Sequence, residues 1–449
     1  MMDKIMYLLN VEISGVKSIK NKVKLDFYKK TVDKNFDSSQ YRVKAIYGEN
    51  GAGKSALVTA IQIYRELMWR SNYLSEGKNQ EFLGEIVNKI TKKLYISMEF
   101  LAKMTSRQTV YKYEFEIGKS EGDEFQILHE KLQRKNGNYQ NNRYTQVFEC
   151  RDGELVYLNG TSDLVSYMEK MTANLLSRQS LVTIFTSKIL NDIVDKNYID
   201  FFQNVLIDII SMITFNACIS VYIEEQDQHE LYFWRKKMAD KKINEKSFGD
   251  MFSEYNELYK SSLGVNEKYI SKTDFENYEK KIGQLTEFIK IFKPGLQCID
   301  IDKRDDGDRY KCELNLNYGD YSVNKEFEST GIKKLIRLFD CLQFASTLGI
   351  VFIDELDSNL NDVYLCKMIE YFMYYGKGQL CFTTHNIDPM LVLRDNKNSI
   401  DFLTNENTIV PWVAKGNATP DSYYRNGMIK DLPFNIEASD FVGILGGEE

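Results

Sequence analysis

The sequence lacks several features that would place it in a common class. It has five prolines and three histidines among 449 residues. No stretch approaches the roughly eighteen consecutive apolar residues that a membrane span needs. The N-terminal segment MMDKIMYLLNVEIS has neither a basic leader nor a small-residue cleavage site. These absences predict a cytoplasmic protein without a membrane segment.

The cysteines do not form a recognisable pattern. There are seven, an odd number, and none lies in a CxxC pair. Wide spacing favours free thiols, mostly buried, over disulfides or a metal site.

The chain has no excess of positive charge. It carries 58 Lys and Arg against 65 Asp and Glu, a formal charge of −7. This argues against a protein that coats nucleic acid through overall charge. Two local basic stretches, NKITKK (88–93) and RKKMADKK (235–242), are open to two interpretations, nucleic-acid contact or solvated helix faces. DNA is therefore a possible partner that the net charge does not indicate.

The chain does have a composition typical of globular proteins, 43% hydrophobic and 27% charged. Its length predicts more than one domain. Alternation of apolar and polar residues predicts a lobe rich in strands over 1–160. Helical periodicity follows over 161–295, and strand signals return over 296–449. We predict these three ranges as an N-terminal lobe, a helical insertion and a C-terminal lobe.

The most specific motif is a glycine-rich loop between a predicted strand, YRVKAIYG, and a predicted helix. It fits GxxxxGK[ST] without departure, and its residues are Gly48, Glu49, Asn50, Gly51, Ala52, Gly53, Lys54 and Ser55. The glycines let backbone N–H groups turn toward phosphate oxygens at a helix N-terminus. Lys54 would reach the β and γ phosphates, and the Ser55 hydroxyl would bind Mg²⁺. The alternative is a glycine-rich turn without a ligand.

A second motif, GIVFIDELDSN (349–359), supplies carboxylates. A buried strand of the parallel type ends at Asp354 and Glu355. Asp354 would help to hold Mg²⁺, and Glu355 would polarise the attacking water. Adjacent carboxylates after a strand are otherwise only the start of a loop.

Two further segments offer groups for the same chemistry. QLCFTTH (379–385) is a short strand that ends in His385, whose neutral imidazole could donate to a γ-phosphate oxygen; a structural histidine is the alternative. In EFESTGIKKL (326–335), Ser329 and Gly331 lie at a predicted helix start and form a candidate anion site. Ser329 could also simply cap that helix.

The insertion contains apolar residues at heptad spacing between about 246 and 293. The first run is Phe248, Phe252, Tyr255 and Tyr259, and the second is Phe275, Tyr278, Ile282, Leu285, Ile289 and Phe292. We predict an antiparallel helical hairpin. It could protrude as a coiled coil or consist of ordinary amphipathic helices packed on the body.

Together, ISGVKSI, YGENGAGKS, IDELD and TTHN resemble the ATP-binding-cassette superfamily in its RecF/SMC/OLD-like branch. The resemblance covers 1 to about 70 and 320–395. It implies an α/β fold, a P-loop NTPase head with a mixed sheet, and an inserted helical or coiled-coil hairpin. It also implies ATP and Mg²⁺ as cofactors and an active site shared between two heads of a homodimer or higher oligomer.

The resemblance assigns further roles. Ser329 and Gly331 of one protomer would close over ATP held by Gly48–Ser55 of the other, with Asp357 at the seam. The family's LSGGQ signature reads ESTGI here, with Thr330 and Ile332 as departures that put the rate of hydrolysis in doubt. Gln179 is a candidate for the family's metal-contacting glutamine.

The tail, from LVLRDNKNSIDFL to YYRNGMIKDLPFNIEASDF, resembles AbiL-like or PARIS-like ATPases of bacterial anti-phage defence. The resemblance implies a slow ATPase that acts as a switch or scaffold for an effector such as a nuclease or toxin in abortive infection. A phage protein would be its trigger. The segment 386–449 is too short for the nuclease domain of OLD-type proteins, so we expect the effector to be a separate chain. Alternatives are a DNA-binding repair ATPase of the RecF type and, less favoured, a transporter's energy subunit.

Overall fold

The computed structural model describes residues 5–104, 107–119, 123–139, 143–192, 196–224, 268–396, 398–413 and 418–428. The described helices are α1 (Lys54–Trp69), α2 (Gly77–Ile86), α3 (Ser162–Thr172), α4 (Leu181–Asp192), α5 (Lys196–Cys218), α6 (Phe275–Phe292), α7 (Thr330–Thr347), α8 (Asp362–Tyr374), α9 (Asp388–Leu393) and α10 (Pro420–Arg425). The described strands are β1 (Ile5–Ser14), β2 (Val23–Asp26), β3 (Val43–Gly48), β4 (Lys93–Met104), β5 (Arg107–Lys119), β6 (Phe125–Asn136), β7 (Thr145–Arg151), β8 (Glu154–Leu158), β9 (Ile219–Tyr222), β10 (Lys268–Ser271), β11 (Cys298–Asp306), β12 (Arg309–Asn317), β13 (Ser322–Asn324), β14 (Ile350–Ile353), β15 (Gln379–Thr383), β16 (Ile400–Leu403) and β17 (Ile409–Pro411). The protein is thus of mixed α/β class.

The described residues cluster into two compact units. The first takes those of Met1–Asp227, Ala345–Leu356 and Cys366–Glu449, and the second takes those of Gln228–Phe344 and Asp357–Leu365. The three domain ranges proposed from the sequence, 1–160, 161–295 and 296–449, stay a prediction.

The first unit contains two sheets. One has seven strands in the order β2-β1-β4-β5-β6-β7-β8, all antiparallel. The other has six strands in the order β17-β16-β3-β15-β14-β9. Its five strands from β16 to β9 are parallel, and β17 is antiparallel at one edge. The central strands β3, β14 and β15 are buried along their whole length, as expected of parallel strands covered on both faces.

Helix α5 belongs to the core of the first unit. Its segment Asp200–Cys218 is long and apolar enough to cross a membrane by length and composition alone. Here Phe215 stacks on Phe100 of β4 with ring centroids 3.9 Å apart. Asp208, which is fully buried, accepts a hydrogen bond of 2.9 Å from the Tyr111 hydroxyl and pairs with Arg134. A paired, buried carboxylate and aromatic packing are features of a helix inside a folded core.

The second unit is built on a four-stranded antiparallel sheet. Its order is β10-β12-β11, and β13 also pairs with β12. Helix α6 and the start of α7 cover the sheet, and their apolar side chains share one core with β11 and β12.

The heptad-spaced face of α6 packs on the body of the protein, which is one of the two arrangements that the sequence left open. Phe275, Tyr278, Ile282, Leu285 and Ile289 are all buried in the core of the second unit. This is the packing of an amphipathic helix on a sheet, and a protruding coiled coil is not confirmed. The other predicted arm, with Phe248, Phe252, Tyr255 and Tyr259, lies outside the described residues, as does the basic stretch 235–242.

All seven cysteines are free thiols. Cys150, Cys312 and Cys381 are buried, but the other four are partly exposed, so the prediction of mostly buried thiols is wrong for them.

Candidate functional site

The glycine-rich loop follows β3 directly and ends in α1, as the sequence predicts. Ser18 Oγ donates to the Gly51 carbonyl at 3.2 Å, and Asn405 Nδ2 donates to Glu49 Oε2 at 2.6 Å. Helix α1 has Gly53 as its N-cap, no side-chain cap and no acidic residue in its first turn. The positive end of a 16-residue helix therefore opens onto the loop, which suits an anion.

Two glycines of the loop are required by its geometry. A Cβ on Gly48 would lie 2.5 Å from the Leu403 carbonyl oxygen, a backbone atom of the neighbouring strand β16. Gly53 has φ of +112°, and a Cβ there would lie 2.8 Å from the Ile19 side chain. Ile19 comes from the ISGVKSI segment, so this N-terminal segment forms one wall of the loop.

Lys54 and Ser55 are placed for phosphate and metal chemistry. The Lys54 side chain is 6% exposed, and its Nζ donates to the Gly48 and Glu49 carbonyls, each at 2.8 Å. The ammonium group is thus held by the backbone at the start of the loop. The partly exposed Ser55 lies in the first turn of α1, and its hydroxyl makes no hydrogen bond to any described residue.

The carboxylate pair follows β14 at the same edge of the six-stranded sheet. Ile353 pairs with Phe382 of β15, and Thr383 pairs with Ile46 of β3, so the carboxyl ends of the three strands lie level. Asp354 is 6% exposed, and Glu355 has φ of +48°, a strained value for a non-glycine residue. Since β14 is two strands from β3, the carboxylates begin about 10 Å from the loop's strand.

Thr383, at the end of the intervening strand β15, contacts both residues of the pair, through the Asp354 carboxylate and the Glu355 backbone. Its hydroxyl donates to Asp354 Oδ1 at 2.6 Å and accepts from the Glu355 N–H at 2.8 Å. The Thr383 carbonyl also accepts from the Leu356 N–H at 3.1 Å. Thr383 was present in the TTH motif but was not singled out, because its importance follows from the pairing of β14 with β15.

His385 lies two residues beyond the end of β15 and is exposed at this edge. The backbone preceding it is fixed, since the Thr384 N–H donates to the Ile46 carbonyl of β3 at 3.2 Å. His385 thus follows a strand that neighbours the loop's strand β3, and its contact to a terminal phosphate stays a prediction.

A further carboxylate, Glu224, was missed from the sequence. It lies two residues after β9, which pairs with β14 so that Tyr222 is level with Ile353. Its side chain is 8% exposed. The signal was an apolar run followed by acidic residues, ISVYIEE, which repeats the pattern of GIVFIDE. Only the sheet order shows that the two runs are neighbours.

Gln179 is not brought to this edge, which corrects its assignment as the metal-contacting glutamine. The next residue, Ser180, donates to the Met68 sulfur at 3.7 Å, and Thr183 donates to the Leu67 and Met68 carbonyls. Leu67 and Met68 lie in the last turn of α1. Lys54 begins that helix, so Gln179 lies about 20 Å away along its axis.

The ESTGI segment lies in the second unit. Helix α7 begins at Thr330, and the exposed Ser329 Oγ accepts from the Ile332 N–H at 3.4 Å, so Ser329 does cap the helix. Gly331 lies in the first turn, where a Cβ would be 2.6 Å from the Asn359 carbonyl. Ile332 is 7% exposed and packs in the core of the second unit, which explains an apolar residue at this position. Asp357 is partly exposed in the loop after Leu356.

The residues in the first unit fit a nucleotide phosphate with Mg²⁺. Mg²⁺ in such sites takes one or two protein oxygens and completes its shell with phosphate and water. Among the described residues there is no group of three or more His, Cys, Asp or Glu arranged to hold a metal. Ser55 and Asp354 are therefore suited to a metal that arrives with the nucleotide rather than to a resident protein cage.

Comparisons with known proteins add little. No protein-family model matches the sequence, and no curated protein matches it. Solved structures that resemble it include two of the recombination mediator protein RecF in the RecFOR pathway. RecF-ATPrS has 16% identity and a TM-score of 0.36, with 91% of this chain and 99% of that chain covered. RecF-ATP has 13% identity and a TM-score of 0.33, with 91% and 100% covered. These scores are too low to carry a conclusion about family or activity.

Proposed function

We propose that the protein is an ATP-binding ATPase of the ATP-binding-cassette type that hydrolyses ATP slowly and acts as a switch. The observation that carries the proposal is the shared carboxyl edge of β3, β15 and β14. The phosphate loop, with the buried Lys54 and the N-terminus of α1, follows β3, and the Asp354–Glu355 pair follows β14, two strands away. Phosphate-loop chemistry and a water-activating carboxylate are the two parts that ATP hydrolysis needs.

Each residue then has a role. The loop amides and Lys54 hold the β and γ phosphates, while Ser55 and Asp354 hold Mg²⁺. Glu355 orients the attacking water, and His385 contacts the terminal phosphate. Glu224, next to this pair on the sheet edge, is a further candidate for the metal's water shell.

The first test separates binding from turnover. Lys54→Ala is expected to abolish ATP binding, measured by calorimetry. Glu355→Gln is expected to retain binding but to lower turnover by about 10²–10⁴-fold. Lys367→Ala and Glu287→Gln, at exposed positions of α8 and α6, are the matched controls. Unchanged ATP binding in Lys54→Ala would remove the basis of the proposal.

We further propose that two copies of the chain close on ATP. Ser329, Gly331 and Asp357 of one copy would face the nucleotide of the other, as the family resemblance implies. The exposed N-terminus of α7 supports this, since a second anion-suited helix end lies in the second unit. Glu355→Gln with ATP should then be a stable dimer or higher oligomer by light scattering, and Lys54→Ala should not associate further when ATP is added.

The role in anti-phage defence is proposed on the resemblance of the tail alone. In this role the protein would control a separate effector chain, such as a nuclease or toxin, and a phage protein would be the trigger. Plating phage on bacteria that carry the protein with its neighbouring genes tests it. Protection that is lost with Lys54→Ala would support it, whereas equal plaque numbers with and without the system would reject it.

A repair-type function on DNA is the alternative. It requires that ATP increase affinity for DNA in a salt-dependent manner. Absence of binding at low salt in the presence of ATP would exclude it.

A further inference from the structure

A polar cavity of about 400 Å³ opens in the first unit. It is lined by residues of β1, β2 and the segment after β2, and by residues of β4 and β6. Four of its lining residues are lysines, namely Lys24, Lys29, Lys30 and Lys135. This is a local concentration of positive charge in a chain whose net charge is −7.

This lysine groove is separate from the phosphate loop. Asn398 donates to the Asp26 carbonyl in the groove's wall, and Asn398 lies just before β16. Tyr28, also in the wall, packs edge-to-face against Tyr41, which precedes β3. The groove is therefore at the amino edge of the six-stranded sheet, whereas the phosphate loop is at the carboxyl edge. The six residues of β3 separate the two by about 20 Å.

The charges in the groove do not cancel. Its two carboxylates are each engaged, Asp26 with Lys24 at 3.0 Å and Glu99 with Lys135 at 3.1 Å. Glu99 also accepts hydrogen bonds from Asn10 and Tyr144. Lys29 and Lys30 are exposed and have no ion pair with any described residue. Lys30 Nζ lies over the Tyr41 ring at 6.0 Å from its centroid and is near enough to Asp37 to help lower the pKa of that carboxyl. Neither ammonium is neutralised by a direct ion pair, so both can still contact an anion from outside.

An exposed aromatic ring accompanies these lysines. The Tyr139 side chain lies at the groove and is 67% exposed, so its face is accessible to a ligand. Lysines that bind phosphate next to a ring that stacks a base are the combination by which proteins hold nucleotides and single strands. The cavity volume is in the range of small-ligand sites.

We propose that the lysine groove is a second ligand site, in which Lys29 and Lys30 bind the phosphate of a nucleotide and Tyr139 stacks on its base. The nucleotide is either free or part of a single-stranded nucleic acid, since both present the same phosphate and base. The site does not depend on the phosphate loop, so the inference stands or falls separately from the proposed ATPase.

The test uses the full chain with Lys54→Ala, so that the phosphate loop does not contribute. A short fluorescent oligothymidylate is titrated at low salt, and adenosine monophosphate is then added as competitor. Lys29→Glu with Lys30→Glu is expected to weaken binding by at least about tenfold and to reduce the salt dependence. Lys280→Glu with Lys367→Glu, an equal charge change on exposed lysines of α6 and α8, should change it less than about twofold.

Tyr139→Ala separates base stacking from charge, because it leaves every lysine in place. It is expected to weaken oligothymidylate binding by about tenfold. Displacement by adenosine monophosphate would identify a free nucleotide as the ligand, and binding of the strand without such displacement would identify nucleic acid. The proposal is overturned if neither probe binds, if the control pair weakens binding as much as the groove pair, or if Tyr139→Ala has no effect.

Discussion

At the scale of single residues, the Thr383 hydroxyl connects the two residues of the candidate catalytic pair, Asp354 and Glu355. It donates to Asp354 Oδ1 and accepts from the Glu355 N–H, and it is fully buried. The contact holds Glu355 at its positive φ of +48°. The Asp354 carboxylate and the Glu355 backbone are therefore held in place before substrate binds.

We therefore expect Thr383→Val to lower ATP turnover by about 10- to 100-fold while ATP still binds. Valine has the shape of threonine but leaves the Glu355 N–H and the Asp354 carboxylate without this partner, at a cost to stability of about 1–3 kcal/mol. Thr383→Ser keeps the hydroxyl and should keep most of the turnover. Steady-state ATPase rates, calorimetric ATP affinity and thermal melting of the three proteins measure this, and equal rates for the valine and serine variants would contradict it.

Glycine at the loop gives a second prediction. Gly48→Ala should destabilise the protein by about 1–3 kcal/mol and abolish ATP binding, because its Cβ would meet the Leu403 carbonyl at 2.5 Å. Gly84→Ala in α2 is the control, since no atom lies within 4 Å of its Cβ. There a helix-interior alanine should stabilise by up to about 1 kcal/mol. Urea unfolding and ATP calorimetry on both variants provide the measurement.

A third prediction concerns pH. Burial raises the pKa of Glu130 from 4.5 to about 7, although the carboxylate accepts hydrogen bonds from the Leu181 N–H and the Tyr113 hydroxyl. Because the folded-state pKa is raised, the contribution of Glu130 to stability is complete below pH 4.5 and is lost as the pH rises through 7. This loss amounts to about 3 kcal/mol.

Glu130→Gln removes that titration. The free energy of unfolding, measured in urea between pH 5 and 8 (about the window of the shift), should fall with pH less steeply in the variant than in the unsubstituted protein. The exposed Glu287→Gln change should leave the slope as it is. Parallel curves for Glu130→Gln and the unsubstituted protein would show that Glu130 titrates alike in the folded and unfolded chains.

At the scale of elements, local sequence patterns predict individual strands and helices, because these form between residues that are close in the chain. The strand before Gly48, the helix after Lys54 and the buried strand before Asp354 are all present where periodicity and turn residues indicate them. Strand order is not local, because β9 and β14 pair across more than a hundred residues. For this reason the sequence does not single out Glu224. It also suggests Gln179 for the site at the start of α1, although Gln179 lies near the other end of that helix.

Helix α6 shows what residue periodicity alone does not predict. Heptad spacing predicts an apolar stripe, and the stripe exists, but spacing does not say whether a helix or a sheet covers it. Here a sheet covers it. Leu285 is fully buried between α6 and the strands, whereas Ile291 on the same helix is 62% exposed.

Leu285→Ala should therefore destabilise the second unit by about 2–5 kcal/mol, and Ile291→Ala should change its stability by less than about 0.5 kcal/mol. Hydrogen exchange of β11 and β12 reports on this unit without requiring that the whole chain unfold. Equal exchange rates in the two variants would mean that the stripe is not the core of the sheet.

At the scale of the whole molecule, the phosphate loop and the ESTGI segment lie in different compact units. Lys54 and Glu355 belong to the first, and Ser329 and Gly331 belong to the second. If two copies share their sites, as proposed, each complete site takes the phosphate loop of one copy and the ESTGI segment of the other. Two separate defects in different copies should then complement each other.

Mixing Lys54→Ala with Ser329→Arg tests this sharing. Each variant alone is expected to be inactive. Lys54→Ala lacks the side chain that contacts the phosphates, and in Ser329→Arg a bulky cation occupies the exposed N-terminus of α7. In a mixed dimer one site has an intact Lys54 and faces an intact Ser329, while the other site carries both defects. Since random pairing gives half mixed dimers with one good site of two, the mixture should recover about a quarter of the normal ATPase rate. No recovery after exchange, with mixed dimers verified by differently tagged copies, would mean that each chain completes its own site.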